Sequence, residues 1–218
     1  MKSNNSLLKS LLLFFLVAFS AFGQNKATLF LNKAAAHFKA QKNCSIQFTY
    51  HIQNLKTNQD VENEGNLLME GNKYVLNFMG ITKLFDGKKI YAINAEDEEV
   101  VISTPKRNKL DLVNPQQLFA QFSNSFIPNW DIQQKLGKQV IQYIKLTPKD
   151  PTDERKEVLL GINAKTYQLY TVIEVNRKGG RNTLTIKTWK NNLNLPKNQF
   201  TFVSNQYKGY YINQLDRP

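Results

Sequence analysis

The sequence predicts a mostly β protein of one domain (α+β in detail). Its antiparallel sheet, about ten or eleven strands wide, should curve into an unclosed barrel with helices against its inner face. Three observations predict it. From Ser45 onward the apolar residues stop recurring at helical spacing and alternate one in two. The connections between alternating segments are too short for parallel crossovers, so the strands must turn back on their neighbours. Two helical stretches carry an apolar face that needs a sheet to lie on.

The elements follow in order. Lys2 and Lys9 flank a polar start, Leu11 to Phe19 form an apolar run, and Ala21-Phe22-Gly23 places small residues where a signal peptidase reads. This predicts a cleavable secretory signal over residues 1–23 and a single domain over 24–218. The alternative, a membrane anchor, needs about 20 apolar residues, and the run is shorter. No cysteine follows it, so the new N-terminus should carry no lipid. Asn25 to Ala40 reads as a helix: Ala27, Phe30, Leu31, Ala34, Ala35 and Phe38 share one face, with Asn25 as cap. Ile46, Phe48, Tyr50 and Ile52 then alternate along a half-buried strand. A second strand spans about 63–69. Gly71-Asn72 turns into a third with Tyr74, Leu76 and Phe78, and Gly80 separates it from a fourth over 81–85. Asp86-Gly87 is a hairpin signal leading to Ile90–Ile93, and the acidic turn 96–99 leads to Val100–Ile102. Asn114-Pro115-Gln116-Gln117 starts a second helix, with Leu118, Phe119 and Phe122 on one face. Phe126, Ile127 and Trp130 follow in an apolar but irregular, proline-broken stretch. Further strands are expected at 140–146, 157–162, 168–175 and 184–189. A short one is expected at Phe200–Val203, and a last at Tyr210–Ile212.

Composition narrows the function. The chain has 29 Lys and Arg against 17 Asp and Glu, a net charge of +12, or +10 without Lys2 and Lys9. Only Arg107, Arg155, Arg177, Arg181 and Arg217 are arginine, and the basic residues are scattered singly. Base readout favours bidentate arginine, so nucleic acid is not expected as a partner. A soluble charged surface, or weak attraction to anionic headgroups and transient membrane contact, accounts for the excess. Cys44 is the one cysteine, so no internal disulfide exists, and it reads as a small buried residue. His37 and His51 have no companions at metal-ligand spacing. The run Glu96 to Glu99 reads as a solvated loop tip. Without a nucleophile elbow, phosphate loop or dinucleotide fingerprint, no catalytic residue, metal or cofactor is assigned and no enzyme is expected.

Several stretches, in order, resemble the LolA family of periplasmic lipoprotein carriers. They are the helix Ala27 to Phe38 behind a signal peptide, the strand Ile46-Gln47-Phe48-Thr49-Tyr50, and Asp86-Gly87-Lys88-Lys89-Ile90-Tyr91. Asn114-Pro115-Gln116-Gln117-Leu118-Phe119, Gln142 to Lys149 with its Leu-Thr-Pro-Lys end, and Phe200-Thr201-Phe202 with Gly209 and Ile212 complete the set. The resemblance spans nearly the whole mature chain. It implies an unclosed barrel with a helical lid over an apolar cavity, and a periplasmic carrier that shields lipoprotein acyl chains between the inner and outer membranes. Loading would come from an inner-membrane ABC-type complex and unloading would go to an outer-membrane acceptor, the carrier acting as a monomer. Phe48, Tyr50, Ile52, Tyr74, Leu76, Phe78, Tyr91 and Ile93 are expected on the cavity wall, and Leu118, Phe119, Phe122, Phe126 and Trp130 in the lid. For each, the alternative is an ordinary packed core. The family's frequent Arg-Pro pair at the start of the third strand is replaced by Glu70-Gly71-Asn72. Two other readings remain: a carrier of another amphiphile, such as a glycolipid or lipid precursor, and an envelope structural module that binds no ligand.

Overall fold

A computed structural model describes residues 25–54, 56–105, 119, 122 and 124–215. The signal segment, the helix start at 114–117 and Leu118 lie outside the described residues. Helix α1 covers residues 25–39 and includes Asn25, and it buries Ala27, Leu31, Ala34 and Phe38, one face in steps of three and four. Phe119, Phe122, Asn124 and Ser125 belong to a second helical stretch. Among the described residues no helix is long and apolar enough to cross a membrane.

The strands form one twelve-stranded sheet. The first six, β1 (Asn43–Asn54), β2 (Gln59–Glu70), β3 (Lys73–Phe78), β4 (Ile81–Phe85), β5 (Ile90–Asn94) and β6 (Glu99–Ser103), run as the expected meander. β7 (Phe126–Leu136), β8 (Gln139–Pro148), β9 (Arg155–Asn163), β10 (Leu169–Asn176) and β11 (Gly180–Asn191) form a second meander, joined to the first by antiparallel pairing of β11 with β1. β12 (Tyr211–Gln214) adds to β6. The spatial order β12-β6-β5-β4-β3-β2-β1-β11-β10-β9-β8-β7 leaves β12 and β7 as edges, so the barrel is not closed. Register shifts at Gln47/Phe48, in β9–β10 and at Trp130/Gln133 supply the local bends that a curved sheet needs.

Three expectations change. The stretch at Phe126 and Trp130 is not irregular: it is strand β7, paired with β8 from Phe126↔Pro148 to Leu136↔Gln139. Pro128 misleads a sequence reading because proline is excluded only from central strands, and β7 is an edge. Phe200–Val203 is not a strand. It crosses the outer face of the sheet, where Phe202 stacks on Tyr91 at 4.3 Å and on Tyr207 at 5.2 Å. This long return also lets β12 join β6 in parallel, which a short hairpin could not do.

The third change concerns faces. Cross-strand partners share a face, and the register pairs Phe85 with Ile90 and Leu84 with Tyr91. Since Phe85 also pairs with Tyr74 on the inner side, Ile90 points inward while Tyr91 and Ile93 point outward. There they form a second core with Val100 and Ile102 under Phe202, Tyr207 and Tyr210. The four-residue turn sets this register: the Asp86 carboxylate accepts the N–H groups of Lys88 and Lys89, both at 2.7 Å, and Gly87 has φ +99°. The main core lies on the inner face, where α1, Phe119 and Phe122 meet Ile46, Phe48, Leu67, Met69, Ile144, Leu146, Val158 and Leu160.

Candidate functional site

The inner face does not pack fully. Between the helical segments and the middle of the sheet lies an apolar cavity of about 310 Å³, at the low end of the range for ligand pockets. β1 contributes Ile46, Phe48 and Tyr50, β2 Leu67, and β3 Leu76 and Phe78. Opposite, β10 contributes Leu169 and Val172, and β11 contributes Leu184, Ile186 and Trp189. Phe38 of α1 and Phe119 and Phe122 of the second helical stretch cover it. Phe38 meets Trp189 edge-on at 5.7 Å and Phe119 at 6.5 Å, so aromatic contacts between helices and sheet close the cavity on that side. Gly65 of β2 permits the Phe48 ring to lie flat on the wall, since a Cβ there would come within 2.4 Å of it.

Six of the expected residues line this cavity: Phe48, Tyr50, Leu76, Phe78, Phe119 and Phe122. Ile52 is on the same strand and side but half-buried beyond the cavity. Tyr74 is fully buried in the core beside Phe85. Tyr91 and Ile93 are on the outer face, for the register reason given above. Phe126 and Trp130 are on β7, not in a helical lid. Phe126 is fully buried, edge-on to Phe122 at 5.8 Å. Trp130 holds α1, meeting Phe30 edge-on at 5.4 Å with the Lys26 ammonium 3.9 Å from its ring centre.

Sequence reasoning missed the β10–β11 half of the wall, although Leu184 and Ile186 alternate with threonine and lysine there. It also missed one polar cluster. Arg155, Glu174 and Asn182 line the cavity together. The Arg155 guanidinium forks onto Asp153, at 2.9 Å and 2.7 Å, lies 4.8 Å from the Phe126 ring centre, and reaches the Glu174 carboxylate at 3.8 Å. Burial pushes the Glu174 carboxyl above its ordinary range against the pull of Arg155. Arg155 hydrogen bonding holds Asp153 below its own. The Tyr50 hydroxyl is raised by burial and then by the Glu174 charge. An acid in the apolar run Val172-Ile173-Glu174-Val175 was the available signal. The arginine on the wall thus comes from β9, not from the start of β3. Among the described residues no group of three or more His, Cys, Asp or Glu is placed to hold a metal ion, and His51 Nε2 pairs with Asp60. The chemistry offered is an apolar enclosure with one ion pair in its wall.

An unclosed, mostly antiparallel barrel around an apolar cavity, covered by helices, defines the class. Residues 82–203 match the family described as outer membrane lipoprotein carrier protein LolA, and the chain belongs to that family. No curated protein matches the chain. Among solved structures it is similar to an uncharacterized conserved protein from Thermus thermophilus, at 11% identity and a TM-score of 0.56 over 87% of this chain and 99% of that one. It is also similar to LprF from Mycobacterium bovis, at 13% identity and 0.50 over 79% and 97%. A LolA superfamily protein from Nitrosomonas europaea aligns at 14% identity and 0.42 over 81% and 97%. At such identities the likeness to these structures is one of fold.

Proposed function

We propose that this chain is a periplasmic carrier that shields acyl chains during transfer between the inner and outer membranes, and that it catalyses no reaction. The observation that carries this reading is the apolar cavity roofed by Phe38, Phe119 and Phe122. Each methylene taken from water is worth about 0.8 kcal/mol, so an acylated cargo crosses an aqueous space only inside such an enclosure. Side chains that pack on the wall when the cavity is empty can exchange those contacts for a chain. Residues 1–23 supply export, and the mature domain is residues 24–218. A lipoprotein is the cargo that family membership supports, with an ABC-type complex as donor and an outer-membrane acceptor as recipient. The cavity volume favours a second reading, an amphiphile presenting a single chain, since about 310 Å³ is small for several.

Mass spectrometry of material co-purifying with the mature chain from its native envelope tests the proposal. Triacylated lipoprotein fixes the first reading and a free lipid the second. A reproducibly empty protein that also takes up no acyl probe sinks both. Leu184 pairs with Tyr50 and Val172 across the cavity floor. Leu184→Trp should fill the space and lower acyl-probe uptake at least tenfold with little loss of stability, which thermal unfolding run beside the uptake assay would check.

A further inference from the structure

A second hollow lies beside the first. Lys138 in the β7–β8 turn, Lys165 in the β9–β10 turn and Lys187 on β11 line an open pocket of about 900 Å³. Among the described residues none of its lining side chains is a carboxylate. Its lining includes Leu169, Ile186 and Trp189, and these same three residues line the apolar cavity.

The backbone explains why the two spaces meet. Pairing between β10 and β11 runs from Val175↔Arg181 only as far as Thr171↔Thr185. Beyond it Leu169 and Tyr170 leave β11, which continues alone with β1 to Asn191. At that point the β1 register jumps from Phe48↔Ile186 to Gln47↔Thr188, so Lys187 is a bulge residue where the sheet splits. The two turns are tied together by the Ala164 N–H donating to the Val140 carbonyl at 2.8 Å, which keeps Lys138 and Lys165 on one side of the gap. The apolar cavity and a pocket lined by three lysines therefore adjoin where the sheet splits, with Leu169, Ile186 and Trp189 common to both.

From this arrangement we infer that the cargo is an amphiphile with a phosphate-bearing headgroup, its chain in the apolar cavity and its anionic group among Lys138, Lys165 and Lys187. Three lysines lining one pocket without a carboxylate favour an anion, and the residues shared with the apolar cavity favour an anion attached to a chain. This inference rests on the carrier reading and names its cargo chemistry.

The test compares binding of fluorescent lysophosphatidylglycerol and chain-matched monoacylglycerol by the mature protein at low ionic strength. Lysophosphatidylglycerol should bind roughly tenfold or more tightly, and the preference should shrink as salt is raised. The K138Q/K165Q/K187Q variant should lose the preference while still binding monoacylglycerol. The K73Q/K88Q/K89Q variant removes the same charge at a distance and should keep it. Inorganic phosphate at millimolar concentration should displace neither lipid; displacement of lysophosphatidylglycerol by it would mean a free-anion site and overturn the headgroup assignment. Equal affinity for both lipids, or equal loss of preference in the two variants, overturns the lysine pocket alone. Failure of the wild-type protein to bind either lipid overturns it together with the carrier reading.

Discussion

At Glu174, burial raises the carboxyl pKa above its ordinary 4.5 while Arg155 pulls the other way, and burial wins although 34% of the side chain reaches solvent. A carboxyl whose folded pKa is raised binds its proton earlier in the folded than in the unfolded state. Its ionised form therefore costs stability at neutral pH, and that cost is relieved as pH falls through the raised value and is gone below 4.5. Glu174→Gln should thus unfold at higher denaturant concentration than wild type near pH 7, with the gap closing toward pH 4.5; a variant less stable at pH 7 would show that the Arg155 pair dominates. Asp153 has the opposite sign: its pKa is lowered from 3.8, so its contribution is present above that value and is lost as pH falls below it. Cys44 is 2% exposed and burial pushes its thiol up to about 11. It should resist a thiol reagent at pH 8 in the native protein and react at once in denaturant, since the thiolate is the nucleophile. Its burial was legible from its place ahead of an alternating strand.

Strand β7 shows how an element can be hidden in a sequence and still be firmly held. Its bulge between Trp130 and Gln133 turns carbonyls away from the ladder with β8. The fully buried Gln142 side chain recovers them, its amide nitrogen donating to Asp131 O at 2.8 Å, to Ile132 O at 3.3 Å and to its neighbour Tyr143 O at 2.7 Å. Gln142→Leu should cost about 1–2 kcal/mol, and hydrogen exchange should rise first in residues 130–136; protection lost uniformly across the sheet would argue against this role. No alternation marks β7 because an edge strand faces solvent along much of its length, and its proline and polar residues carry little penalty there. By contrast β1 was readable, since Ile46, Phe48, Tyr50 and Ile52 alternate with the polar Gln47, Thr49 and His51. β5 was readable as a strand, but its orientation was not, because apolar residues lie on both of its faces.

At the scale of the whole molecule, the sheet's failure to close is what leaves room for function. With β7 and β12 unpaired to each other, helices rather than a last strand cover the inner face, and helices can part without breaking a ladder. The convex side carries two further apolar clusters. One lies under the C-terminal segment, and the other joins Ile141, Tyr143 and Ile173. Tyr143 lies over Gly161, where a Cβ would meet its ring at 3.1 Å, and donates its hydroxyl to Gln134 at 3.0 Å. These outer clusters stiffen the wall, so ligand exchange is expected to move the roof and not the sheet. Hydrogen exchange with and without an acyl ligand should change protection in α1 and leave β8–β10 unaltered; a change concentrated in β8–β10 would reverse that assignment.

The sequence by itself determined that this is a mostly β chain with an apolar helix ahead of it, most of its strands, and half of the cavity wall. Period and turn chemistry are local properties, and they suffice for that. Only the tertiary structure decided which side of β5 faces in, where β10 parts from β11, and that Arg155 and Glu174 meet across two strands. Alternation is unchanged when a strand is turned over, and where both faces are buried only register separates the two arrangements. Register here depends on the Asp86 turn, the bulge at Lys187 and the return of the C-terminal segment, which bring together residues far apart in the chain.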